Sequence, residues 1–583
     1  MDPKARLQPP GGTGYLAWVR HYRRGWLSGD LTAGVVVSVM IIPQSMAYAM
    51  LAGLPVQVGL YASILPLIGY ALFGSSMTLS VGPVAVSALM TAALLGPMAV
   101  IGSADYLQLA IWLALLSGAL LFLFGLLRLG FLANFLSHPV ISGFISGAAV
   151  LIVLSQLPHL FGLGELPTSP DALFTGWQPL NSLILLMGLV ALLWLLYARS
   201  LMARHLEQLG LAAPLAKILA RLAPILVVVL GILVTHAWQL HERGMPVVGE
   251  LPAGLPGLIW STPGWSTLYS LLLPALLISL VSFVESVSIA QSLARHKRQS
   301  IDANRELLGL GAANISSGLS GGFAVCGGFS RSVVNDEAGA QTPLAGVVAA
   351  IIIALILVTL APLFALLPLV VLAVVILVAV TPLIDLASLR RAWRYDRAEG
   401  LTLLMTALGV IFLGVEAGIV LGIALSLAAQ LWRGSRPHVA VLGRVPETDY
   451  FRNTKRHLVE TEPHLLALRI DESIFFANTK AVEQAIQRAL NDYPDTRELL
   501  LILSAVNHID STGLDMLSEL SEGLAERDIR VHLAEVKGPV MDQLEKTDWL
   551  EQQVDEIFPS TLIAFNTLSS ISRPMSKAEE RTP

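Results

Sequence analysis

Charge is what this 583-residue chain has least of: Asp, Glu, Lys and Arg make up 14% of it, against about 25% in soluble domains. That shortage excludes an ordinary water-soluble enzyme, and the 54% of hydrophobic residues excludes a disordered chain. Cysteine is almost missing. Cys326 is the single one, which leaves no disulfide framework and no cysteine-rich metal site. No other set of metal ligands stands at usable spacing, so neither a metal nor a cofactor is expected. A net charge of −5 is too small to point to nucleic acid. Glycine–lysine loops of the phosphate-binding type are missing, and the polar part of the chain offers no nucleophile–base pair. The N-terminus carries Lys4, Arg6, Arg20, Arg23 and Arg24 without the compact apolar run and small-residue cleavage site of a signal peptide.

What the chain does have is apolar length. From about Leu31 to Leu431 it is a near-continuous series of hydrophobic blocks, whereas Arg433 to Pro583 reads as mixed polar sequence. A bilayer-spanning helix needs roughly 20 apolar residues. Candidate spans fall near 30–50, 54–74, 79–97, 105–127, 131–157, 178–198 and 214–237. A second set falls near 268–292, 305–322, 330–340, 344–360, 363–382, 398–414 and 416–432. The expectation is a polytopic α-helical membrane protein with about fourteen membrane elements and a polar tail.

Orientation follows from the Lys/Arg bias of short connections. Basic residues collect before the first span and at Arg128, Arg199, Arg204, Lys217, Arg221, Arg295, Lys297, Arg298, Arg305, Arg390, Arg391, Arg394, Arg397, Arg433 and Arg436. The connections 158–177 and 238–267 carry few and include Glu165, Asp171, Glu242 and Glu250. Counting spans between the clusters puts every basic loop on one side and both termini in the cytoplasm. With about seven spans in each half, an odd number, the halves enter from opposite sides, which is the inverted-repeat plan of many secondary transporters.

The third and tenth blocks are short and interrupted at matching places. One runs through Gly74, Ser75, Ser76 and then Ser80-Val81-Gly82-Pro83; the other through Gly321, Gly322, Gly327, Gly328 and then Phe329-Ser330-Arg331-Ser332. Glycine or proline breaks at equivalent positions of two halves point to a transport site. Helix N-termini expose N–H groups and a positive dipole end. Two half-helices opening at Gly82-Pro83 and at Ser330-Arg331 would therefore make a largely backbone-built anion pocket.

Ionisable groups inside apolar spans are costly and signal function. Glu285, among Ser282, Ser286 and Ser288, and Arg331 are the two that stand out. A structural carboxylate paired to a helix end or to Arg331 is the plainer reading of Glu285. The functional reading is that it exchanges a proton during transport, because burial penalises the charged carboxylate and a nearby cation favours it. An anion competing for that cation would couple the two. In the first span Pro43 interrupts an apolar helix, and Gln44 and Tyr48, four apart, share a face. Gly414, Gly418 and Gly422, at spacing four, read as a helix-packing ridge.

The tail alternates strand-like stretches (Leu465 to Ile470, Glu498 to Val506, Ile529 to Glu535) with helical ones, as a small α/β domain would. Asp510-Ser511-Thr512-Gly513 reads first as a helix N-cap and second as a phosphorylation or nucleotide site.

Pro43-Gln44-Ser45-Met46-Ala47-Tyr48-Ala49, Ser80-Val81-Gly82-Pro83, Gly328-Phe329-Ser330-Arg331-Ser332 and, in the tail, Ile509-Asp510-Ser511-Thr512-Gly513 resemble the SulP family of anion permeases, bacterial relatives of the animal sulfate/anion exchangers that include pendrin and prestin. The tail resembles a STAS module. The resemblance implies seven-plus-seven inverted repeats forming a core and a gate domain, elevator-like motion and a homodimer in a bacterial inner membrane. It implies a domain plan of 1–29 as a cytoplasmic segment, 30–432 as the transporter (repeats about 30–237 and 268–432), 441–570 as the STAS domain and 571–583 as a disordered tail. Gln44, Tyr48, Val84, Ser330 and Arg331 match the family's anion pocket, with Gly82 at the opening of the first half-helix. Some animal members have Phe where Val84 stands. Glu285 matches the acidic position used for cation coupling. Sodium-coupled bicarbonate members have aspartate there with a hydroxyl residue four further on; this chain has Glu285 and Ile289, which favours protons over sodium. Ser511 matches a serine that is phosphorylated in related anti-sigma-factor antagonists. The function implied is secondary active, proton-coupled sulfate symport. Bicarbonate or a C4-dicarboxylate is the next substrate class, and a passive anion channel or a regulatory membrane protein is the rival reading. Membrane lipid, protons and a small anion are the expected partners; no enzymatic activity is expected.

Overall fold

A computed structural model describes residues 16–571 apart from 135–136, 163–180, 214–215, 217–218, 221, 250–253, 255–262 and 298. Of the features singled out above, Lys4, Arg6, Glu165, Asp171, Lys217, Arg221, Glu250, Arg298 and the tail beyond 571 lie outside the described residues. The chain divides into two compact units, Met1–Ser426 and Leu427–Pro583.

The first unit is helical. Besides the short helices Ala17–Arg20 and Ala203–Gln208, its helices are α1 (Leu27–Leu51), α2 (Val56–Tyr61), α3 (Leu65–Phe73), α4 (Ala85–Leu95), α5 (Ala104–Leu126), α6 (His138–Phe161), α7 (Ser182–Tyr197) and α8 (Ala223–Ala237). They continue with α9 (Trp265–Lys297), α10 (Ala303–Leu319), α11 (Phe329–Glu337), α12 (Leu344–Thr359), α13 (Leu369–Val380), α14 (Leu386–Tyr395), α15 (Arg397–Leu413) and α16 (Val415–Gly434), the last crossing the unit boundary. Among the described residues, eight helical stretches are long and apolar enough to cross a bilayer, and α4, α8 and α12 are shorter apolar helices. Most of these helices are apolar all round, as helices buried in protein on one side and in lipid on the other must be. On α7, Leu186, Leu189, Val190 and Leu193 are all exposed, a contiguous apolar surface suited to lipid.

Two sequence expectations change in detail. Pro43 does not end the first helix: α1 runs unbroken from Leu27 to Leu51 with the proline inside it. The second block is divided, because Ala62 to Ile64 separates α2 from α3.

Glycines set how closely the scaffold packs. A Cβ on Gly118 of α5 would lie 2.6 Å from the Ile315 nitrogen of α10, and one on Gly311 of α10 would lie 2.6 Å from the Phe122 nitrogen of α5. Only glycine lets two backbones approach so closely. Gly418 and Gly422 are packing positions of the same kind, against Val410 and Thr406, whereas Gly414 forms the turn between α15 and α16 at φ +93°.

The second unit carries a six-stranded sheet in the order Phe451–Asn453, Val439–Arg444, Leu465–Ile470, Glu498–Ile502, Arg530–Ala534 and Glu556–Phe558. β3 (Val439–Arg444) pairs antiparallel with β4 (Phe451–Asn453) and β5 (Leu465–Ile470); β5, β6 (Glu498–Ile502), β7 (Arg530–Ala534) and β8 (Glu556–Phe558) are parallel. Leu499 and Leu501 enter one core with Ile486 and Leu517, while Leu500 and Ile502 enter another with Phe565 and Leu568. Helices cover both faces, which is why β6 reads as a continuous apolar run without alternation.

Candidate functional site

The two interrupted blocks meet. β1 (Val81–Gly82) and β2 (Cys326–Gly327) pair antiparallel, Val81 opposite Gly327 and Gly82 opposite Cys326. Each two-residue strand leads into a half-helix, α4 or α11. Because the strands run in opposite directions, the half-helices leave in opposite directions and their N-termini meet at the ladder. Neither Val84, which caps α4, nor Gly328, which caps α11, supplies a side chain to the first-turn N–H groups. Both positive ends therefore stay free for a ligand.

Arg331 is the charge at this junction. It is 2% exposed, yet its Nη1 and Nη2 have no hydrogen-bond partner. Two glycines shape its place: a Cβ on Gly82 would lie 3.0 Å from Nη1, and a Cβ on Gly328 would lie 2.7 Å from Nε. Breaking a buried ion pair costs about 3–5 kcal/mol, so a guanidinium held dry and unpaired is poised for an anion from outside the chain.

The remaining predicted residues fall around it unevenly. Glu285 on α9 is part-buried and accepts a weak hydrogen bond from Cys326 Sγ at 3.7 Å. The direct pair with Arg331 that a structural reading of Glu285 allowed is not made, although its charge lies within electrostatic range of Arg331. Glu285 also stands in the wall of a narrow apolar crevice with Val140, Phe144, Val281, Val284 and Ile419. Tyr48 is buried and close enough to Arg331 to feel its field; Gln44, one turn earlier on α1, is buried as well. Val84 is part-buried at the start of α4. Ser330, the residue before Arg331 in the first turn of α11, is exposed. In the second unit, Asp510 caps the helix Ser511–Ala525 by accepting from the Gly513 N–H at 2.8 Å, and Ser511 is exposed in its first turn.

Comparison with known proteins gives this arrangement a family. The profile of the Sulfate permease family matches residues 27–406, and that of the STAS domain matches residues 457–561. The chain belongs to the sulfate permease family. It is 36% identical over 542 residues to the chloroplastic sulfate transporter 4.1 of Arabidopsis thaliana, covering 89% of this chain and 76% of that protein. It is 35% identical over 568 residues to a probable sulfate transporter of Mycobacterium tuberculosis, covering 94% of this chain and 96% of that one. Among solved structures, SLC26A9 superposes with a TM-score of 0.86 at 22% identity, over 96% of this chain and 92% of that one. The transmembrane domain of the cyanobacterial bicarbonate transporter BicA gives a TM-score of 0.57 at 24% identity, over 69% of this chain and 98% of that one. The chain is thus a multi-pass membrane protein of a transporter family and not an enzyme, with the fold of the SLC26 proteins and a STAS domain after it.

The contacts that hold this junction together carry no sequence signal of their own. Asn314 of α10 donates to the Val325 carbonyl and accepts from the Val325 N–H, both at 2.9 Å, which pins the approach to β2. Ser286 Oγ accepts from the Gly327 N–H at 2.8 Å. Across the junction, the Ser80 N–H donates to Ser332 Oγ and Asn335 Nδ2 donates to the Thr78 carbonyl, each at 2.9 Å. Two fully buried carboxylates brace the adjoining turns. Glu306 accepts from Tyr70 Oη, Ser75 Oγ, Ser75 N–H and Ser76 N–H. Asp30 accepts from the Gln341 and Thr342 N–H groups and from Thr342 Oγ1.

Proposed function

We propose that the chain is a secondary active transporter that carries sulfate together with a proton by elevator-like alternating access. In this reading two seven-helix inverted repeats form a core and a gate. The protein is a homodimer in a bacterial inner membrane with both termini in the cytoplasm. The observation that carries it is the buried, unpaired guanidinium of Arg331 between two uncapped half-helix N-termini. Backbone N–H groups and one fixed cation suit a small, strongly charged anion. The family membership, and relatives described as sulfate transporters, favour sulfate over other anions. Glu285, beside the same junction and lacking a cationic partner within hydrogen-bond reach, is the group to carry the coupling proton. Gln44, Tyr48, Gly82, Val84 and Ser330 complete the pocket.

The test is uptake of labelled sulfate, bicarbonate and succinate into proteoliposomes with and without an imposed pH gradient. Sulfate accumulation that rises with an inward proton gradient is the expected result. Gradient-insensitive equilibration would make the protein a passive channel, accumulation of bicarbonate or succinate alone would reassign the substrate, and failure to move any of the three would favour a regulatory role.

A further inference from the structure

The short helix α14, between α13 and α15, takes no part in the anion site, yet its surface is unlike the rest of the unit. At helical spacing, Leu386, Arg390, Trp393 and Arg394 occupy one stripe, and all four are exposed. Ser388, off that stripe, is buried. Asp385 caps the helix on the Ser388 N–H at 2.8 Å, and Arg391 Nη2 donates to Ser388 Oγ at 2.9 Å. A Cβ on Gly400 of α15 would lie 2.8 Å from both the Trp393 Cα and its ring Cε3, so the helix backbone and one edge of the indole lie on α15 while the rest of the ring, 46% exposed, faces outward. Arg390 and Arg394 make no ion pair among the described residues.

Depth is readable from a hydrogen bond. Ser146 Oγ accepts from the Asp385 N–H at 3.2 Å and donates to the Leu383 carbonyl at 3.3 Å. Ser146 stands eight residues after His138, where α6 begins, or about 12 Å along that helix at 1.5 Å per residue. Leu386 therefore starts well below the end of a membrane-length helix, and the arginines follow as the chain climbs out. Arg199 Nη1 donates to the Val378 carbonyl at 3.2 Å, which brings a further cation to the same end of α13. An exposed leucine and tryptophan at interface depth, flanked by arginines, match a bilayer surface: the apolar side chains enter the acyl boundary and the guanidinium groups meet phosphates.

We propose that the exposed stripe of α14 is an anionic-phospholipid site, holding α13 and α15 to the headgroup layer on the side of the membrane that carries the basic loops. Charge complementarity favours lipid phosphate, and the exposed Leu386 and Trp393 favour a lipid surface over any water-soluble polyanion. The test uses the full chain in nanodiscs of phosphatidylcholine doped with brominated phosphatidylglycerol or brominated phosphatidylcholine. Trp393 emission is isolated as the difference between wild type and Trp393→Phe. Brominated phosphatidylglycerol should quench Trp393 at roughly thirtyfold lower mole fraction than brominated phosphatidylcholine, the scale expected of two interfacial arginines. The preference should shrink in high salt. In the Arg390→Gln/Arg394→Gln variant, quenching by the zwitterionic lipid should persist and the preference should vanish. Equal quenching by both lipids in the wild type would overturn the proposal. So would a Trp393 that neither lipid quenches, which would mean that protein, such as a second copy, covers the stripe.

Discussion

A guanidinium held 2% exposed with both terminal nitrogens unpaired is an unfinished interaction, and its completion defines the site at the scale of single residues. Arg331→Ala should leave the protein folded, since it removes an unsatisfied buried charge and orphans no partner. Sulfate binding should fall by a factor of about ten or more, one charge-assisted hydrogen bond being worth about 1.5–3 kcal/mol. Isothermal titration reads this directly, and unchanged affinity would move the site elsewhere. Glu285 tests the coupling. Glu285→Gln mimics the protonated carboxyl permanently, so anion binding should persist, helped by loss of a negative charge near Arg331. Accumulation against a gradient should be lost while substrate exchange survives, because no proton enters or leaves with each cycle. Both are measured in the same vesicles; accumulation with wild-type pH dependence would return Glu285 to a structural role.

Elements position those residues, and here the sequence was legible only in part. Glycine and proline breaks are visible in any sequence, so the two half-helices and the residues in their first turns are legible from the sequence alone. Their pairing through β1 and β2 is not, because two-residue strands have no periodicity to detect. Asn314 was equally silent: a lone asparagine in an apolar helix reads as nothing until its partner, Val325, is known. Glu306 and Asp30 sit at the starts of their blocks, where a carboxylate passes for an interfacial or first-turn residue; both are fully buried. Glu306→Ala would orphan the donors of Tyr70, Ser75 and Ser76. At about 1–3 kcal/mol for each buried orphan, thermal unfolding in detergent should drop by many degrees, and Glu306→Gln should fall between. A mutant as stable as wild type would mean that this turn is braced by other contacts. Gly328→Ala makes the opposite kind of change. Its Cβ would press on Arg331 Nε at 2.7 Å, and the end of a flexible side chain is the atom that yields. The fold should survive while anion affinity falls on the order of tenfold, the value of one misplaced charged hydrogen bond; unaltered sulfate affinity would show that Arg331 need not sit against Gly328.

At the scale of the whole molecule the chain is two units, each with its own core. The α/β unit buries both faces of its sheet within itself; β5, β6 and β7 fall on the stretches where apolar runs predict strands, whereas β3, β4 and β8 carry no such run and are found only in the structure. Every residue assigned to the anion site lies in the first unit. Selectivity should therefore be set by the half-helix junction alone, and the second unit should influence how fast that junction works. Removing residues 436–583 keeps α16 whole and deletes the entire sheet. The shortened protein should still bind sulfate with near wild-type affinity and show the same order of preference among sulfate, bicarbonate and succinate, with a lower uptake rate. Initial rates for the three labelled anions, normalised to folded protein by size-exclusion chromatography, separate the possibilities. A lower rate with unchanged ratios supports a modular protein whose pocket is complete without the tail. A changed order of preference would mean that the tail reaches the substrate path, and the pocket would have to be redrawn to include it.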